Sequence, residues 1–165
     1  MKFVLAAFLA VLTTIPTAAD GRSDWTGYDW RKAAFGQCLS TEAGCHVFRS
    51  KWDWKRNQWV DITYSLQADG DLTLVQKLTN NDPKDSDFVC VTVLFLDAQG
   101  RNVTASHTNI EIGPRSVKTF QNALPLTTDL ASAIRSVEFG SKQCRQGAGQ
   151  DDLVFEAVAA RLPGK

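Results

Sequence analysis

Five tryptophans lie within 35 positions of one another and are the side chains best suited to recognition; they are Trp25, Trp30, Trp52, Trp54 and Trp59. Trp52 and Trp54 are two positions apart, so on a β-strand their rings would point to the same face. Nearby charged side chains, Arg56 among them, would add directional hydrogen bonds to such a face. We therefore predict a binding surface formed by Trp25, Trp30, Trp52, Trp54 and Arg56.

Three interpretations of this tryptophan cluster stay open at the level of sequence. An exposed aromatic platform would stack on the rings of a glycan or on a peptide. A protein-binding hot spot would use the same residue types. Alternatively, the N-terminal segment folds over the edge of the domain and buries the rings. Trp59 precedes Val60 and Ile62, and we expect it in the core in each case.

Catalytic patterns are weak in this sequence. It has two histidines, His46 and His107, and lacks the Gly-x-Ser-x-Gly pattern of a nucleophile elbow. Gly147 and Gly149 lack the lysine and the strand–loop–helix setting of a phosphate loop. We therefore predict no catalytic residues and no cofactor. A small hydrolase using paired carboxylates is kept as an alternative, because spacing alone does not show which carboxylates face each other.

Four cysteines allow three disulfide pairings. We favour Cys38–Cys45, which closes a short loop, and Cys90–Cys144, which joins two distant segments. A loop-entropy model assigns the two bonds about 2.5 and 4 kcal/mol. The competing interpretation is a metal site at Cys45 and His46, but zinc sites usually carry two short Cys/His pairs, so we predict no metal.

Residues 1–19 have the three parts of a signal peptide. Lys2 is basic, Phe3 to Ile15 is an apolar run of 13 residues, and small residues follow Pro16 up to Ala19. A run of this length is too short for a membrane-spanning helix, which needs about 20 residues. We expect cleavage before Asp20 and a periplasmic or secreted product, in which the four cysteines are oxidised.

The composition describes an ordinary single domain. The 165 residues include 18 basic and 18 acidic side chains, and 44% are hydrophobic, which argues against disorder. The basic residues are dispersed, so a nucleic-acid partner is disfavoured. We expect a protein or glycan partner and no membrane span after cleavage of the signal peptide.

The chain after the signal peptide changes from an irregular start to a β pattern. Asp29 is placed to cap a short helix over Trp30 to Phe35, ended by Gly36. From His46 onward, turn residues separate alternating apolar segments. The predicted strands are 46–54, 58–67, 71–79, 87–97, 101–112, 115–122, 134–142 and 152–161, with one helical turn from Thr127 to Ile134.

The segment from Phe88 to Asp97 is apolar on both faces of a strand, with Thr92 as its single polar residue before the end. Such a strand is covered on both sides and is central in its sheet. Short strands separated by turn signals favour an antiparallel sandwich of two sheets.

The stretch from Val89 to Phe120 resembles the FxLYD-type family of immunoglobulin-like periplasmic and lipoprotein domains. The matching residues are Phe95-Leu96-Asp97, Gly100, Gly113-Pro114 and Phe120. Leu96 stands where that family often has tyrosine. The resemblance implies a β-sandwich and implies no catalytic residues.

Together these observations predict an all-β, antiparallel, Ig-like β-sandwich of seven or eight strands with a Trp-rich N-terminal extension. The predicted divisions are residues 1–19 (signal peptide), 20–45 (extension with a short helix) and 46–165 (sandwich). The predicted function is an exported, non-catalytic binding module. The alternatives are a carbohydrate-binding module using the tryptophans and a small envelope hydrolase.

Overall fold

The computed structural model describes residues 27–53 and 55–144. Within them the elements are β1 (Asp29–Ala34), β2 (Leu39–Thr41), β3 (Gly44–Asp53), β4 (Gln58–Leu66), β5 (Leu72–Asn80), β6 (Asp87–Leu96), β7 (Asn102–Ile112), β8 (Ser116–Leu124), α1 (Thr128–Ala133) and β9 (Ser136–Cys144). The predicted signal peptide and the predicted strand at 152–161 lie outside these ranges.

The strands form two antiparallel sheets. Sheet A has four strands in the order β1-β9-β6-β7, and sheet B has five in the order β2-β3-β4-β5-β8. The chain passes from sheet A to sheet B between β1 and β2 and returns to sheet A after β5. It passes to sheet B again after β7 and reaches sheet A for the last time through α1. The predicted all-β antiparallel sandwich is confirmed, with nine strands in the described residues.

Sheet B shows why one-sided burial produces an alternating sequence. Along β4, Val60, Ile62 and Tyr64 are buried, while Trp59, Asp61 and Thr63 between them are half-buried. Successive side chains of a strand point to opposite faces, so one face packs on sheet A and the other meets solvent. Because Trp59 belongs to the second set, the expectation that it lies in the core is wrong.

Strand β6 behaves differently because both of its faces are buried. Nine of its ten residues are buried, and the exception is the half-buried Phe88. Its odd-numbered residues from Val89 to Phe95 face sheet B within the main core. Leu94 and Leu96 belong to a second cluster on the opposite face of sheet A. The prediction of a central strand covered on both sides is confirmed.

Three aromatic rings mark one end of the main core. Phe35 stacks on Tyr64 with 4.8 Å between ring centroids, and Phe95 meets Tyr64 edge-on at 5.7 Å. The Tyr64 hydroxyl accepts a 2.7 Å hydrogen bond from the backbone N–H of Gly36. This contact ties the segment that follows β1 to the centre of sheet B.

The helix predicted over Trp30 to Phe35 is wrong, since this segment is strand β1. All six of its residues pair with β9, from Asp29 opposite Ser141 to Ala34 opposite Ser136. Trp30 and Lys32 point to the outer side of sheet A, whereas Arg31 and Ala33 point to the opposite side, towards sheet B. Pairing with β9 overrides the local helix signals, and Gly36, at φ +81°, ends the strand in a turn.

Strand β1 belongs to sheet A and strand β2 belongs to sheet B. The described part of the predicted extension is therefore built into the sandwich. The other predicted strands correspond to β3 through β9. The predicted helical turn is α1, whose Thr127 side chain accepts from the Leu130 N–H as an N-cap. In the described part of the chain, no helix is long and apolar enough to cross a membrane.

Both predicted disulfides, Cys38–Cys45 and Cys90–Cys144, are present. Cys38–Cys45 joins the residue before β2 to β3. Cys90–Cys144 joins β6 to its neighbour β9, where Cys144 lies opposite Phe88. The second bond therefore reinforces the pairing of the central strand, and both bonds are typical of proteins in oxidising compartments.

Replacement of Phe95 by alanine tests the importance of the aromatic cluster. Phe95 is fully buried, so Phe95→Ala should lower the free energy of unfolding by about 3–5 kcal/mol through lost burial and an unfilled cavity. Urea denaturation with the disulfides intact measures the loss. Val117→Ala, at a side chain that is 55% exposed, should change stability by less than about 0.5 kcal/mol. Equal effects of the two changes would contradict this packing.

Candidate functional site

A disulfide-closed turn forms one corner of the sandwich. We call residues 38–45 the disulfide ribbon: it contains β2, folds back into β3, and is closed by Cys38–Cys45. Thr41 Oγ1 donates to the Gly44 carbonyl at 2.9 Å. Gly44 has φ +123°, and a Cβ there would clash with the backbone of Tyr64. Glycine is therefore required for the ribbon to lie this close to β4.

A cavity of about 420 Å³ lies between β1 and the disulfide ribbon. Its lining consists of Lys32, Ala33, Gln37, Cys38, Leu39, His46 and Val47. Val47 is 1% exposed and belongs to the core, whereas Leu39 is 69% exposed. We call this cavity the ribbon groove.

Two polar side chains of the ribbon groove, those of Lys32 and His46, are held by neighbouring residues. Lys32 Nζ lies 2.8 Å from Glu138 Oε1, its cross-strand neighbour on β9. His46 Nδ1 lies 3.2 Å from the hydroxyl of Thr63 on β4. These contacts orient a cation and an imidazole beside a lining whose other residues, apart from Gln37, are apolar.

A second cavity of about 420 Å³ also borders the disulfide ribbon. Its lining includes Phe35, Cys45, Tyr64 and Leu66, and it shares Cys38 with the ribbon groove. Leu66 is 45% exposed. Exposed leucines thus lie beside both cavities, as expected where an apolar partner is recognised.

The strand edges beside the ribbon groove are chemically important. In the described part of the chain, β1 is a terminal strand of sheet A and β2 is a terminal strand of sheet B. A terminal strand presents backbone N–H and C=O groups on one side. The corner can therefore offer backbone hydrogen bonds and apolar contacts to the same ligand.

The tryptophans predicted to form one binding surface are separated by sheet A. Trp30 is half-buried on its outer side, where it stacks on Tyr28 with centroids 5.3 Å apart. Trp52 is 8% exposed and lies in the main core, and its Nε1 donates to Asp87 Oδ2 at 3.3 Å. Trp52 therefore has no exposed face for stacking. Trp25 and Trp54 lie outside the described residues.

Arg56 lies at the other end of the sandwich among four aspartates. Its guanidinium nitrogens are 3.4 Å from Asp82, 3.6 Å from Asp53 and Asp85, and 3.9 Å from Asp87. Asp87 is buried and also accepts 2.6 Å from Gln143 Nε2. Arg56 thus links β3, the loop between β5 and β6, and the start of β6 through its charge. Its side chain remains 40% exposed.

Trp59 is held on the outer face of sheet B. Its Nε1 donates to Asp61 Oδ2 at 3.0 Å, and the Arg49 guanidinium lies 4.5 Å from its ring centroid. Arg49 also pairs with Asp61 at 3.2 Å. The three side chains form a compact surface cluster whose internal contacts explain the position of this ring.

Residues of the ribbon groove were not among the predicted binding residues. In the sequence, His46 was considered only as a possible metal ligand. Within the described residues, no group of three or more His, Cys, Asp or Glu could hold a metal ion. The available signal was Leu39, an apolar residue beside Cys38 in a polar, glycine-containing loop. The other lining residues come together only through β1–β9 pairing and the disulfide.

Neither a protein-family model nor a curated protein sequence matches the chain, so membership of the FxLYD-type family is not confirmed. The solved structures that are similar at low identity include the following three. A DUF1425 family member from Shewanella sp. pv-4 has TM-score 0.39 and 13% identity, covering 65% of this chain and 95% of its own. The Salmonella enterica trimeric lipoprotein SadB has TM-score 0.42 and 11% identity, covering 73% and 62%. The Escherichia coli lipoprotein yajI has TM-score 0.34 and 12% identity, covering 88% and 90%.

Removal of the Arg56 guanidinium should destabilise the fold. Arg56→Ala leaves four aspartates without this shared cation, and Asp87 among them is buried. We expect a loss of about 1–2 kcal/mol in urea denaturation, because the guanidinium is partly solvent-screened. Lys55→Ala is the matched control: it removes an exposed neighbouring charge and should change stability by less than about 0.5 kcal/mol. Equal stabilities of the two variants would show that Arg56 is a solvated surface residue.

Asp82 makes stability depend on acid pH. Backbone N–H groups of Lys84 and Asp85 donate to Asp82 Oδ1, each at 2.8 Å, and with the Arg56 charge they lower the pKa of Asp82. A lowered folded-state pKa adds stability above the unfolded value, and this stability is lost as pH falls through the folded-state value. Asp82→Asn should therefore lose less stability than wild type between about pH 4 and pH 2, measured by urea midpoints. Parallel pH curves for the two proteins would rule out this role.

Proposed function

We propose that this chain is an exported, non-catalytic interaction domain that binds an extended polypeptide segment in the ribbon groove. The observation that carries the proposal is the groove itself: an apolar cavity between terminal strands of two sheets, with Leu39 exposed beside it. Ligand sites of this kind combine an apolar lining with a few placed polar groups.

An extended peptide fits the chemistry of this corner better than a sugar does. Ala33, Leu39 and Val47 suit apolar side chains of a ligand. The terminal strand β1 spans six residues, about 20 Å, and can pair with a peptide of similar length. Main-chain pairing supplies affinity in this mode, and the groove supplies side-chain specificity.

Lys32 and His46 give the groove a direction. Lys32 on β1 carries a cation on one side, while His46 lies on β3, directly after the disulfide ribbon. We infer that the preferred peptide has an apolar residue in the groove and an acidic or carbonyl group facing Lys32. Charges at the rim of a site select partners more than they add affinity.

Location outside the cytoplasm is part of the proposal. The two disulfides favour an oxidising compartment, and residues 1–19 have a signal-peptide pattern. The sequence resemblance to FxLYD-type domains supports a role in the cell envelope. The Cys38–Cys45 disulfide beside the groove also limits local unfolding of the short strand β2, which lies at the edge of sheet B.

Panning a phage-displayed peptide library on the mature domain tests the proposed function. We expect enrichment of peptides with spaced apolar residues. Leu39→Asp should weaken their binding by about tenfold or more, because it removes an apolar contact and places a charge in the groove. Titration calorimetry of a synthetic copy of an enriched peptide measures the change. Chemical-shift changes on titration should concentrate in residues 32–47.

Val117→Asp is the matched control for this experiment. Val117 is an exposed apolar residue on β8, the terminal strand at the opposite edge of sheet B, and the change should leave peptide binding unaltered. Both substitutions are at exposed positions, so both variants should fold. Peptides that bind wild type and Leu39→Asp equally, or a failure to enrich any peptide, would refute binding in the groove.

A further inference from the structure

The Cys38–Cys45 disulfide lies between the two cavities at the corner of the sandwich. Cys38 lines both the ribbon groove and the second cavity, and Cys45 lines the second cavity as well. Both cysteines are half-buried and pack against the main core. A small molecule that enters either cavity therefore reaches a cysteine of this bond.

The Cys90–Cys144 disulfide is placed differently. Cys90 is 0% exposed and lies on β6, which has a paired strand on each side, whereas Cys144 is half-buried at the end of β9. In thiol–disulfide exchange a thiolate attacks one sulfur and the other sulfur leaves as a thiolate. Cys90 is then either the target or the leaving group. Burial hinders the first role by limiting access and the second by removing water from the charged sulfur.

The disulfide ribbon depends on its covalent bond more than the rest of the sandwich does. Strand β2 spans three residues, all of them exposed, and is a terminal strand of sheet B in the described part of the chain. The hydrogen bond from Thr41 Oγ1 to the Gly44 carbonyl lies within the turn of the ribbon itself. Segments with few buried side chains and exposed backbone hydrogen bonds open locally at low free energy. The disulfide is therefore the main link that holds β2 against β3.

The segments on either side of the ribbon have contacts that do not involve this disulfide. Upstream, Phe35 stacks on Tyr64 with 4.8 Å between ring centroids, and the Gln37 N–H donates to the Ala34 carbonyl at 3.0 Å. Downstream, β3 is hydrogen-bonded to β4. Breaking the disulfide therefore releases residues 38–41 and leaves the neighbouring strands in place.

Release of these residues removes one wall of the ribbon groove. Cys38 and Leu39 belong to that wall, whereas Ala33 and Val47 lie on strands that stay paired. Without the first wall, the groove no longer encloses an apolar side chain of a ligand. The affinity for a peptide held in the groove therefore falls when the disulfide is reduced.

We propose that Cys38–Cys45 is a redox switch, which a dithiol reductant opens and reoxidation closes. A thiolate of the dithiol attacks Cys38 Sγ, the S–S bond breaks, and Cys45 leaves as a thiolate that takes up a proton. The second thiolate of the reductant attacks its first sulfur in the mixed disulfide, and Cys38 leaves in the same way. The dithiol becomes a disulfide, and its two electrons and two protons reside on Cys38 and Cys45. The effect on binding rests on the proposed function, whereas the opening of the ribbon does not.

Reduction of the folded, full-length protein by dithiothreitol tests the selectivity of the switch. Free thiols are trapped with N-ethylmaleimide at timed intervals and located by peptide mass spectrometry. We expect Cys38 and Cys45 to be trapped about tenfold faster than Cys90 and Cys144. The difference should disappear in concentrated urea, because unfolding exposes all four sulfurs. Equal rates in the folded protein, faster trapping of Cys90 and Cys144, or no trapping without urea would overturn the proposal.

Amide hydrogen exchange of the selectively reduced protein measures the opening of the ribbon. Reduction should accelerate exchange in residues 38–45 and leave residues 58–66 and 72–80 unchanged. The double variant Cys38→Ala/Cys45→Ala should exchange rapidly in residues 38–45 with and without the dithiol, which controls for other effects of the reductant. Unchanged exchange of residues 38–45 on reduction would show that the ribbon stays closed without its disulfide, contrary to the proposal.

Fluorescence anisotropy of a labelled, cysteine-free peptide enriched on the oxidised domain measures the effect on binding. We expect dithiothreitol to weaken binding to the wild type by about tenfold or more, and reoxidation to restore it. The double-alanine variant should bind weakly in both conditions. Unchanged affinity of a protein whose ribbon has opened would refute the switch. If the oxidised protein binds no peptide, the proposed function fails, and the trapping and exchange results decide the opening of the ribbon by themselves.

Discussion

Burial of β6 on both faces is the constraint from which the arrangement of the other strands follows. A strand with apolar residues on each side needs a hydrogen-bonded neighbour at both edges and a packed layer above and below. Strands β7 and β9 provide the edges, and the core provides one layer. The Cys90–Cys144 bond then holds β9 against β6 on the side away from that core.

The two ends of the sandwich are stabilised by different chemistry. At the end that contains Arg56, Asn80 is 1% exposed and its Nδ2 donates to the carbonyls of Asp85, Ile112 and Gly113, while its Oδ1 accepts from Gln58. A buried amide whose oxygen and nitrogen both have partners, as in Asn80, specifies one arrangement of the loops around it. At the other end a disulfide performs this role, and it leaves the ribbon groove beside it.

Strand positions could be inferred from the sequence because alternation in segments such as 58–66 and 72–80 is a local property. Double burial of β6 was visible for the same reason. Strand β1 was not, since Asp29 and Gly36 imitate helix boundaries and only pairing with β9 makes the segment extended. Burial of Trp52 depends on Asp87, 35 residues away, and the groove depends on segments brought together by Cys38–Cys45. No local pattern encodes such contacts.

The distribution of exposed apolar surface connects the fold to the proposed function. Among the described residues, Leu39, Leu66 and Val117 are the exposed large hydrophobic side chains. Two of them, Leu39 and Leu66, line the cavities on the disulfide ribbon. Scattered single residues need no explanation, whereas a pair of exposed leucines beside one disulfide-closed corner supports the proposal of a recognition surface there. Elsewhere on sheet B, the cluster of Trp59, Arg49 and Asp61 is polar, so the exposed apolar side chains that the proposed partner needs lie at the cavities beside the disulfide ribbon.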